Sequence, residues 1–313
     1  MSWKHRKVLV TGATGFIGSH LVERLVDLEA EVECWAASEK RLARLARVRD
    51  RIDLRMIDIR DLARVAEATR RCQPEIVYHL AAYGVNFDER DMQPAVDINI
   101  RGTVHLLEAL KGMPIKRIIA AGTWAEYGPK DHPAQEEDPL EPVGTYGTTK
   151  ATATTIAMKM AVQDNLPLVV LRPFSVYGPG EGDYKFVPIV IRACLKKTPP
   201  KLTSCRQVRD YVYIEDAVEA FIKAADARLE TPIVLNIASG RPVQLKELVD
   251  AVVRHFPGIQ PDFGAMPDRE NEIWSIRADI SKAKKLLGWE PTHTLEQGIT
   301  QTISWFKNNP HGN

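Results

Sequence analysis

The segment TGATGFIG at positions 11–18 follows a short apolar run at 8–10 and leads directly into a segment of helical periodicity. Gly12 permits a tight turn after a strand, Gly15 lets the backbone approach a bound group, and Gly18 lets helix and strand pack closely. Free N–H groups at the start of such a helix bind phosphate. The segment therefore predicts a dinucleotide-binding turn, with contacts from Thr11, Gly12, Gly15, Phe16, Ile17 and Gly18.

Outward from this turn, apolar runs of strand length alternate with longer segments of helical period. Strands are predicted at 7–11, 31–36, 52–57, 75–79, 116–121 and 168–171, and helices at 16–28, 40–48, 62–69, 94–110 and 146–163. This alternation is typical of βα units that build a parallel sheet. We therefore predict an α/β fold of the Rossmann type, a doubly wound parallel sheet with a smaller C-terminal substrate-binding lobe.

The regular alternation ends near residue 172, where a proline-rich stretch begins. Further along, a strand at 211–214, a helix at 215–227 and a strand at 233–236 are predicted to return to the first sheet, and helices are predicted at 245–255 and 281–287. The dinucleotide-binding domain is thus predicted to comprise residues 1–172 and about 209–236. The substrate-binding lobe then comprises about 173–208 and 237–313.

The composition is that of an ordinary globular protein, with 313 residues, 44% of them hydrophobic, and 42 Lys and Arg against 41 Asp and Glu. The balanced charge lacks the basic excess of a dedicated nucleic-acid binder, and no apolar run has membrane-spanning length. The chain begins without a signal-like apolar segment, so a cytoplasmic location is expected. The cysteines form no Cys-x-x-Cys pair, which predicts buried free thiols and no metal site: Cys34, Cys72, Cys194 and Cys205.

The end of the second predicted strand distinguishes two cofactors. In an NAD site this strand normally ends in a carboxylate that accepts hydrogen bonds from the adenine ribose. Here the expected position is Ala36, and Ser38, Lys40 and Arg41 follow. A hydroxyl and two cations without a carboxylate suit the 2′-phosphate of NADP, so NADP is the predicted cofactor and NAD the alternative. A solvated helix face is the other interpretation of Lys40 and Arg41, and it is the favoured one for the later basic residues Arg44, Arg47 and Arg51.

Tyr146 and Lys150 lie four residues apart, which puts a phenol and an ammonium on one face of a helix. A nearby cation favours the phenolate, so Lys150 is predicted to tune Tyr146 as an acid or base. Thr123, just after the fifth predicted strand, offers a hydroxyl to a substrate oxygen whose charge changes. Tyr-x-x-x-Lys is common by chance, but together with Thr123 and the glycine turn it predicts the catalytic centre of an oxidoreductase.

Three later segments carry a resemblance to a known family: LRPFSVYGPG at 171–180, QVRDYV at 207–212 and ADISKAKKLLGW at 278–289. The spacing of the glycines and the position of Thr123, four residues before Tyr127, belong to the same pattern. By these motifs the whole chain resembles the extended short-chain dehydrogenases that act on nucleotide sugars, the NAD-dependent epimerase/dehydratase family. A Rossmann fold and a nucleotide-sugar substrate are what this resemblance implies.

The resemblance also implies further site residues. On the cofactor side they are an adenine contact at Asp58 and Ile59, close backbone passage at Leu80, Ala81 and Ala82, an asparagine near the nicotinamide ribose at Asn99, and Pro173. On the substrate side they are Thr123, Trp124, Ser175, Lys185 and Val187, with Arg209 and Arg269 as a clamp on the diphosphate.

Departures from the family's patterns narrow the implied reaction. Sugar-nucleotide 4,6-dehydratases carry Asp-Glu directly after the catalytic Thr, and related decarboxylases carry Glu two residues after it, whereas this chain has Trp124 and Ala125. Ser175 and Lys185 stand where epimerases often have Asn. The Gly-Thr-x-x-Glu-Tyr-Gly pattern around Thr123 also resembles that of nucleotide-linked 4-keto-6-deoxysugar reductases.

The predicted function is therefore NADPH-dependent reduction of a nucleotide-linked 4-keto(-6-deoxy)sugar at C4. The alternative is an NAD-dependent nucleotide-sugar 4-epimerase, and a catalytically silent NADP-binding sensor is the alternative from another class. No nucleic-acid or membrane partner is expected. The resemblance also implies a homodimer, formed through the helices at 94–110 and 146–163 with apolar residues Val104, Leu106, Leu107, Leu110, Ile156, Ala157 and Met160.

Overall fold

The structure, a computed structural model, describes residues 2–85, 89–270 and 272–310. Its strands are β1 (Lys7–Thr11), β2 (Glu31–Ala36), β3 (Asp53–Met56), β4 (Ile76–His79), β5 (Arg117–Ala121), β6 (Leu168–Pro173), β7 (Ser175–Tyr177), β8 (Lys201–Leu202), β9 (Val208–Arg209), β10 (Tyr211–Tyr213), β11 (Ile233–Ile237), β12 (Val243–Gln244), β13 (Asp262–Phe263) and β14 (Ser275–Ile276). Its α-helices are α1 (Phe16–Asp27), α2 (Leu62–Cys72), α3 (Met92–Ala95), α4 (Gly102–Leu110), α5 (Gly144–Asp164), α6 (Phe186–Leu195), α7 (Ile214–Asp226), α8 (Leu245–Val253), α9 (Ser281–Leu287) and α10 (Leu295–Asn308).

The central sheet has seven parallel strands in the order β11-β6-β5-β4-β1-β2-β3. Both of its faces are covered, because successive residues of a strand point to opposite sides. In β1, Val8 and Val10 belong to the hydrophobic cluster that includes Leu21 of α1, whereas Leu9 belongs to the cluster that includes Leu106 of α4. The predicted doubly wound α/β sheet is therefore confirmed.

Much of the chain after β6 shares the hydrophobic core of the sheet, although a smaller separate cluster contains Phe174, Ala238 and Ile276. The cluster on the α1 face of the sheet continues into Val190 of α6, Leu248 of α8 and Phe306 of α10. These three helices pack on one another at the side of the sheet. The division into a dinucleotide-binding domain and a substrate-binding lobe stays a prediction.

The strand predicted at 211–214 does not return to the first sheet. β11 occupies the position beside β6, with Leu235 opposite Leu171, as predicted for the strand at 233–236. β10 instead pairs with β7 in a separate two-stranded sheet, with Tyr211 opposite Ser175. The physical reason is that β11 takes the hydrogen-bonding edge of β6, so only the continuation of that strand past Phe174 remains for β10.

Two predicted helices differ in kind from the expectation. The segment at 40–48 is a 3₁₀ helix, Leu42–Arg51, which starts after Arg41 adopts a left-handed conformation at φ 65°. The helix at 94–110 begins at Met92 and contains a π-helical segment, Val96–Arg101, before α4. A π-helical turn within a helix often marks a functional site, and this one contains Asn99.

The carboxyl ends of β1, β2, β4, β5 and β6 meet at one edge of the sheet, where ligands bind in open α/β sheets. Among the residues that the structure describes, no helix is both long and apolar enough to cross a bilayer. The four cysteines are free thiols, and burial raises the pKa of each.

Candidate active site

A cleft of about 1020 Å³ lies along this edge of the sheet. Its volume is at the upper end of the range for small-molecule sites, which leaves room for a large ligand or for two ligands side by side. The predicted cofactor-side and substrate-side residues line this one cleft, except for Asn99, Arg209 and Arg269. Residues from six different strand ends and loops are thus brought together as the sequence predicts.

The three glycines of the turn at 11–18 have different roles. A Cβ on Gly12, whose φ is 70°, would lie 2.5 Å from the backbone nitrogen of Ala81, and a Cβ on Gly18 would collide with the carbonyl oxygen of Gly12. Among the described atoms, a Cβ on Gly15 would approach only the carbonyl oxygen of Gly12, at 3.1 Å. Gly15 also lines the cleft. Gly12 and Gly18 are therefore required by packing, whereas Gly15 borders open space where α1 begins. This cradle fits a dinucleotide pyrophosphate.

Thr11 takes part in a buried hydrogen-bond chain beneath the turn. Its hydroxyl lies 2.8 Å from Nδ1 of His79, whose Nε2 lies 3.0 Å from the hydroxyl of Thr103. Burial, followed by the charge of Lys150, lowers the pKa of His79 to about 3, so the ring is neutral at physiological pH. A neutral imidazole can donate one of these bonds and accept the other. These hydrogen bonds fix the ends of β1 and β4 against α4.

Thr123, Tyr146 and Lys150 all line the same cleft as the glycine turn. Burial raises the pKa of Tyr146 to about 12, and a hydrogen bond with Thr123 opposes this shift. Burial lowers the pKa of Lys150, and the carboxylate of Glu126 opposes that shift. Thr123 and Glu126 therefore act on the electrostatics of this site in addition to the predicted pairing of Tyr146 with Lys150.

Asn99 is fully buried beneath the cleft. Its side-chain amide donates to the carbonyl of Tyr83 at 3.0 Å and to the hydroxyl of Thr149 at 2.9 Å, and its oxygen accepts from the Tyr83 N–H at 2.8 Å. The predicted place of Asn99 near a nicotinamide ribose stays a prediction. Within the protein, Asn99 joins the segment after β4 to α5 at Thr149, the residue before Lys150.

The loop after β3 contributes Asp58 and Ile59 to the cleft. The Asp58 carboxylate accepts hydrogen bonds from the guanidinium of Arg60, the shortest at 2.6 Å, and these lower the pKa of Asp58. Ile59 is buried against Gly102, where a Cβ would collide with its side chain. A charged acceptor beside an apolar side chain is suited to an adenine ring, as the resemblance implies.

The end of β2 presents Ala36, Ser38, Lys40 and Arg41 to the cleft. Arg44 lines it as well, and its guanidinium donates to the carbonyl of Gly180 at 2.9 Å. The interpretation of Arg44 as part of a solvated helix face is therefore wrong, because its guanidinium is partly buried against the carbonyl of Gly180. Arg47 and Arg51 do lie at the surface, paired with Glu23 and Asp27.

On the substrate side, Trp124, Ser175, Lys185 and Val187 line the cleft. The ammonium of Lys185 donates to the carbonyl of Val85 at 3.0 Å, which joins α6 to the loop after β4. The cleft is also lined by Glu181, Tyr184 and Tyr211, which no sequence pattern identified as site residues. In the sequence, only their positions near the Gly-Pro-Gly loop at 178–180 and the Arg-Asp-Tyr motif at 209–211 indicated such a role.

Arg209 and Arg269 are not among the residues that line the described cleft, although Arg209 lies two residues before Tyr211, which does line it. The guanidinium of Arg209 donates to the carboxylate of Glu272 at 2.8 Å, rather than to Asp210 or Glu215. Arg269 is close enough for its charge to lower the pKa of Arg209. The two cations are thus neighbours, and Glu272 compensates part of their charge.

A Rossmann sheet, a glycine turn that opens a helix, and a Thr, Tyr and Lys that line the same cleft define the class of the short-chain dehydrogenases. Within that class, the chain belongs to the NAD-dependent epimerase/dehydratase family, whose model matches residues 8–238.

Three comparisons illustrate the likeness. A UDP-glucose 4-epimerase of Mycolicibacterium smegmatis is 29% identical over 314 residues, covering 96% of this chain and 99% of the relative. The structure of a Thermotoga maritima UDP-glucose 4-epimerase with UDP-glucose has a TM-score of 0.88 at 28% identity and covers 97% of this chain and 99% of that one. That of a Bacillus cereus UDP-glucuronic acid 4-epimerase with UDP-glucuronic acid and NAD has a TM-score of 0.88 at 27% identity, with 96% and 99% covered.

Proposed function

We propose that this protein transfers a hydride at C4 of a nucleotide sugar, with Thr123, Tyr146 and Lys150 as the catalytic residues. The observation that carries the proposal is that these three residues line the same cleft as the glycine turn, with the turn after β1 and Thr123 after β5. A hydride donor or acceptor held on that turn would extend toward them. A nicotinamide dinucleotide bound there would supply the hydride for reduction and accept it for oxidation.

The protein's own residues would manage the proton and the position of the sugar. The phenol of Tyr146 gives a proton to the C4 oxygen during reduction and takes it during oxidation. The hydroxyl of Thr123 orients and polarises that oxygen. Lys150 holds the nicotinamide ribose, and its positive charge favours the phenolate when a proton must be taken.

Epimerisation at C4 is the first of two reactions consistent with this site. The relatives reported above are named as 4-epimerases of UDP-sugars, which supports epimerisation ahead of the reduction predicted from the sequence. In this reaction the C4 hydroxyl is oxidised to a ketone and the keto sugar rotates within the cleft. The hydride then returns to the opposite face of C4. No net reductant is consumed.

Reduction of a 4-keto sugar is the second candidate, and one specific observation favours it. The end of β2 has Ala36 in place of a carboxylate, with Ser38, Lys40, Arg41 and Arg44 around the same end of the cleft. This set suits a 2′-phosphate and therefore NADPH, a cofactor that a reductase consumes and exchanges.

The two reactions can be separated by following the product. Wild-type protein incubated with UDP-glucose or UDP-glucuronic acid and NAD gives the C4 epimer, detected by NMR, if epimerisation is correct. A UDP-linked 4-keto-6-deoxyglucose with NADPH gives a C4 alcohol and stoichiometric loss of absorbance at 340 nm if reduction is correct. Turnover of either substrate rejects the silent sensor, whereas tight cofactor binding without any turnover would support the sensor and reject both reactions.

Arg41 provides a direct test of the predicted NADP site. Arg41→Ala is expected to weaken NADPH binding relative to NADH by about 1–3 kcal/mol, because a charge-assisted hydrogen bond to the 2′-phosphate is lost. The matched control is Arg47→Ala, on the 3₁₀ helix Leu42–Arg51 that begins directly after Arg41. The side chain of Arg47 is 84% exposed and pairs with Glu23. Fluorescence titration of both cofactors measures the effect. Equal losses for NADPH and NADH in the Arg41 variant would contradict a 2′-phosphate contact.

On the substrate side, we propose that Arg209 and Arg269 bind the diphosphate of the nucleotide sugar. Two neighbouring guanidinium groups suit that charge, and the ion pair of Arg209 with Glu272 would have to open for it. Trp124, Ser175, Lys185 and Val187 would then surround the sugar. A substrate-binding lobe with the predicted boundaries and a cytoplasmic location remain part of the proposal.

We also propose a homodimer that uses the outer faces of α4 and α5. Four of the apolar residues predicted for that interface, Leu106, Leu107, Leu110 and Ala157, are buried within the chain itself. The partner would therefore contact the other side, where Val104, Ile156 and Met160 are half-buried and Val162 is 62% exposed.

Light scattering at micromolar concentration is expected to give twice the chain mass for the wild type. Ile156→Glu combined with Val162→Glu should give the monomer mass, because charges in an apolar contact oppose association. A monomeric wild type would contradict the dimer.

A further inference from the structure

Glu126 is a fully buried carboxylate beside the catalytic centre. It ends a short 3₁₀ helix, Trp124–Glu126, and its side chain turns back toward the start of that helix. One carboxylate oxygen, Oε1, accepts a hydrogen bond from the backbone N–H of Thr123 at 2.9 Å. The hydroxyl of Thr123 in turn accepts from the N–H of Ala125 at 3.3 Å. Backbone and side chain of Thr123 are thereby both fixed.

The other carboxylate oxygen of Glu126 is held from a second direction. It accepts a hydrogen bond from Nε of Arg172, on β6, at 2.8 Å, and both side chains are almost completely buried. The guanidinium of Arg172 lies over the ring of Tyr127 at 4.5 Å, and the hydroxyl of Tyr127 donates to Asn236 on β11 at 2.6 Å. Glu126 is therefore anchored to two strands of the central sheet.

The residue before Thr123 leaves the space for this arrangement. A Cβ on Gly122 would lie 2.7 Å from Oε1 of Glu126 and 2.9 Å from Cγ of Arg172. A buried ion pair is weak evidence for stability, because desolvation of the two charges offsets their attraction. The ion pair of Glu126 with Arg172 also holds the carboxylate that accepts the hydrogen bond from the N–H of Thr123.

We propose that Glu126 is a positioning residue that holds Thr123 against the substrate oxygen, with Arg172 fixing the orientation of the carboxylate. This inference rests on the proposed function of Thr123. Lys150 and Tyr146 lie near enough for the negative charge of Glu126 to raise the pKa of both, which favours the ammonium and the neutral phenol. Glu89 acts on Tyr146 in the same direction.

Two double variants isolate the hydrogen bond to Thr123. Removing Glu126 alone would leave the buried charge of Arg172 unpaired, so Arg172→Met accompanies each change. Glu126→Gln with Arg172→Met keeps a side-chain oxygen for the Thr123 N–H, whereas Glu126→Ala with Arg172→Met removes it. Both variants lack the ion pair, and circular dichroism and cooperative thermal unfolding establish that each is folded.

We expect kcat for the nucleotide sugar that the wild type turns over to be at least about tenfold lower in the Ala variant than in the Gln variant. KM and the Kd for the cofactor should agree within about twofold between the two variants, because the hydroxyl of Thr123 acts mainly on the charge that develops at the C4 oxygen. Equal kcat values in the two folded variants, or a difference confined to KM, would overturn the proposal. The proposal would also be overturned if the Gln variant were no more active than the Ala variant.

A second readout does not depend on turnover. Hydrogen exchange of the Thr123 amide, followed by NMR, should be slow in the wild type and the Gln variant, and at least about tenfold faster in the Ala variant. If the wild type turns over no nucleotide sugar, the proposed function fails while this measurement still decides whether Glu126 holds Thr123. Equal exchange in both variants would overturn the positioning role.

Discussion

Replacing Tyr146 by Phe is expected to lower kcat about 10³-fold without unfolding the protein. The substitution removes the one group proposed to give or take a proton at the C4 oxygen and keeps the ring that fills the cleft wall. KM for the sugar and Kd for the cofactor should change little, because the phenol acts mainly in the transition state. Steady-state kinetics with the wild-type substrate measure the effect.

Tyr213→Phe is the matched control for the loss of one phenol hydroxyl. Tyr213 lies on β10, and its hydroxyl donates to Gln301 at 2.7 Å, so its removal costs about 1 kcal/mol of unfolding free energy. Its kcat should equal that of the wild type. Turnover by the Tyr146 variant within a few fold of the wild type would exclude Tyr146 as the acid or base.

The raised pKa of Tyr146 also predicts how the two reactions depend on pH. With a pKa of about 12 in the protein without cofactor, the phenol is protonated throughout the neutral range. Proton donation during reduction should therefore be nearly independent of pH between 6 and 9, whereas oxidation of a C4 hydroxyl needs the phenolate and should speed up as the pH rises. The rise of the oxidation rate with pH should be absent in Tyr146→Phe.

Much of the architecture could be predicted because it depends on local patterns. Strands that are buried on both faces appear in the sequence as apolar runs. In the turn, Gly12 is required by its positive φ and Gly18 by its contacts with the backbone. Since the carboxyl ends of parallel strands share one edge, strand order alone brings Thr123 and Pro173 to the same cleft as the glycine turn.

What the sequence could not predict depends on contacts between distant segments. Arg44 was assigned to a solvated face because its partner, the carbonyl of Gly180, lies 136 positions away. The pairing of Arg209 with Glu272 joins residues 63 positions apart, which no local pattern indicates. Glu126 appeared only as the Glu of the Gly-Thr-x-x-Glu-Tyr-Gly pattern, with no indication of its contacts, because its partner Arg172 lies on β6. Strand β10 was misplaced because competition for the edge of β6 is a property of the whole sheet.

Ala36→Asp is expected to reverse the cofactor preference. Ala36 is 3% exposed and lines the cleft at the end of β2, where the carbonyl accepts from the N–H of Ile57 at 3.0 Å. A carboxylate there would repel the 2′-phosphate of NADPH and accept a hydrogen bond from the ribose hydroxyl of NADH. Because both effects act in the same direction, the ratio of kcat/KM for NADPH over NADH should fall about 100-fold, or about 2.7 kcal/mol.

Ala36→Asn separates charge from size in this test. The amide has nearly the same volume as the carboxylate but carries no charge, so it should lower kcat/KM for both cofactors by similar factors and leave their ratio within about threefold of the wild type. Steady-state kcat/KM with each cofactor decides between the two candidate reactions. A wild type that prefers NADH, or an Asp variant with unchanged preference, would contradict the NADP site. Since the structural argument for reduction rests on that site, epimerisation with retained NAD would then be the only one of the two reactions that the site supports.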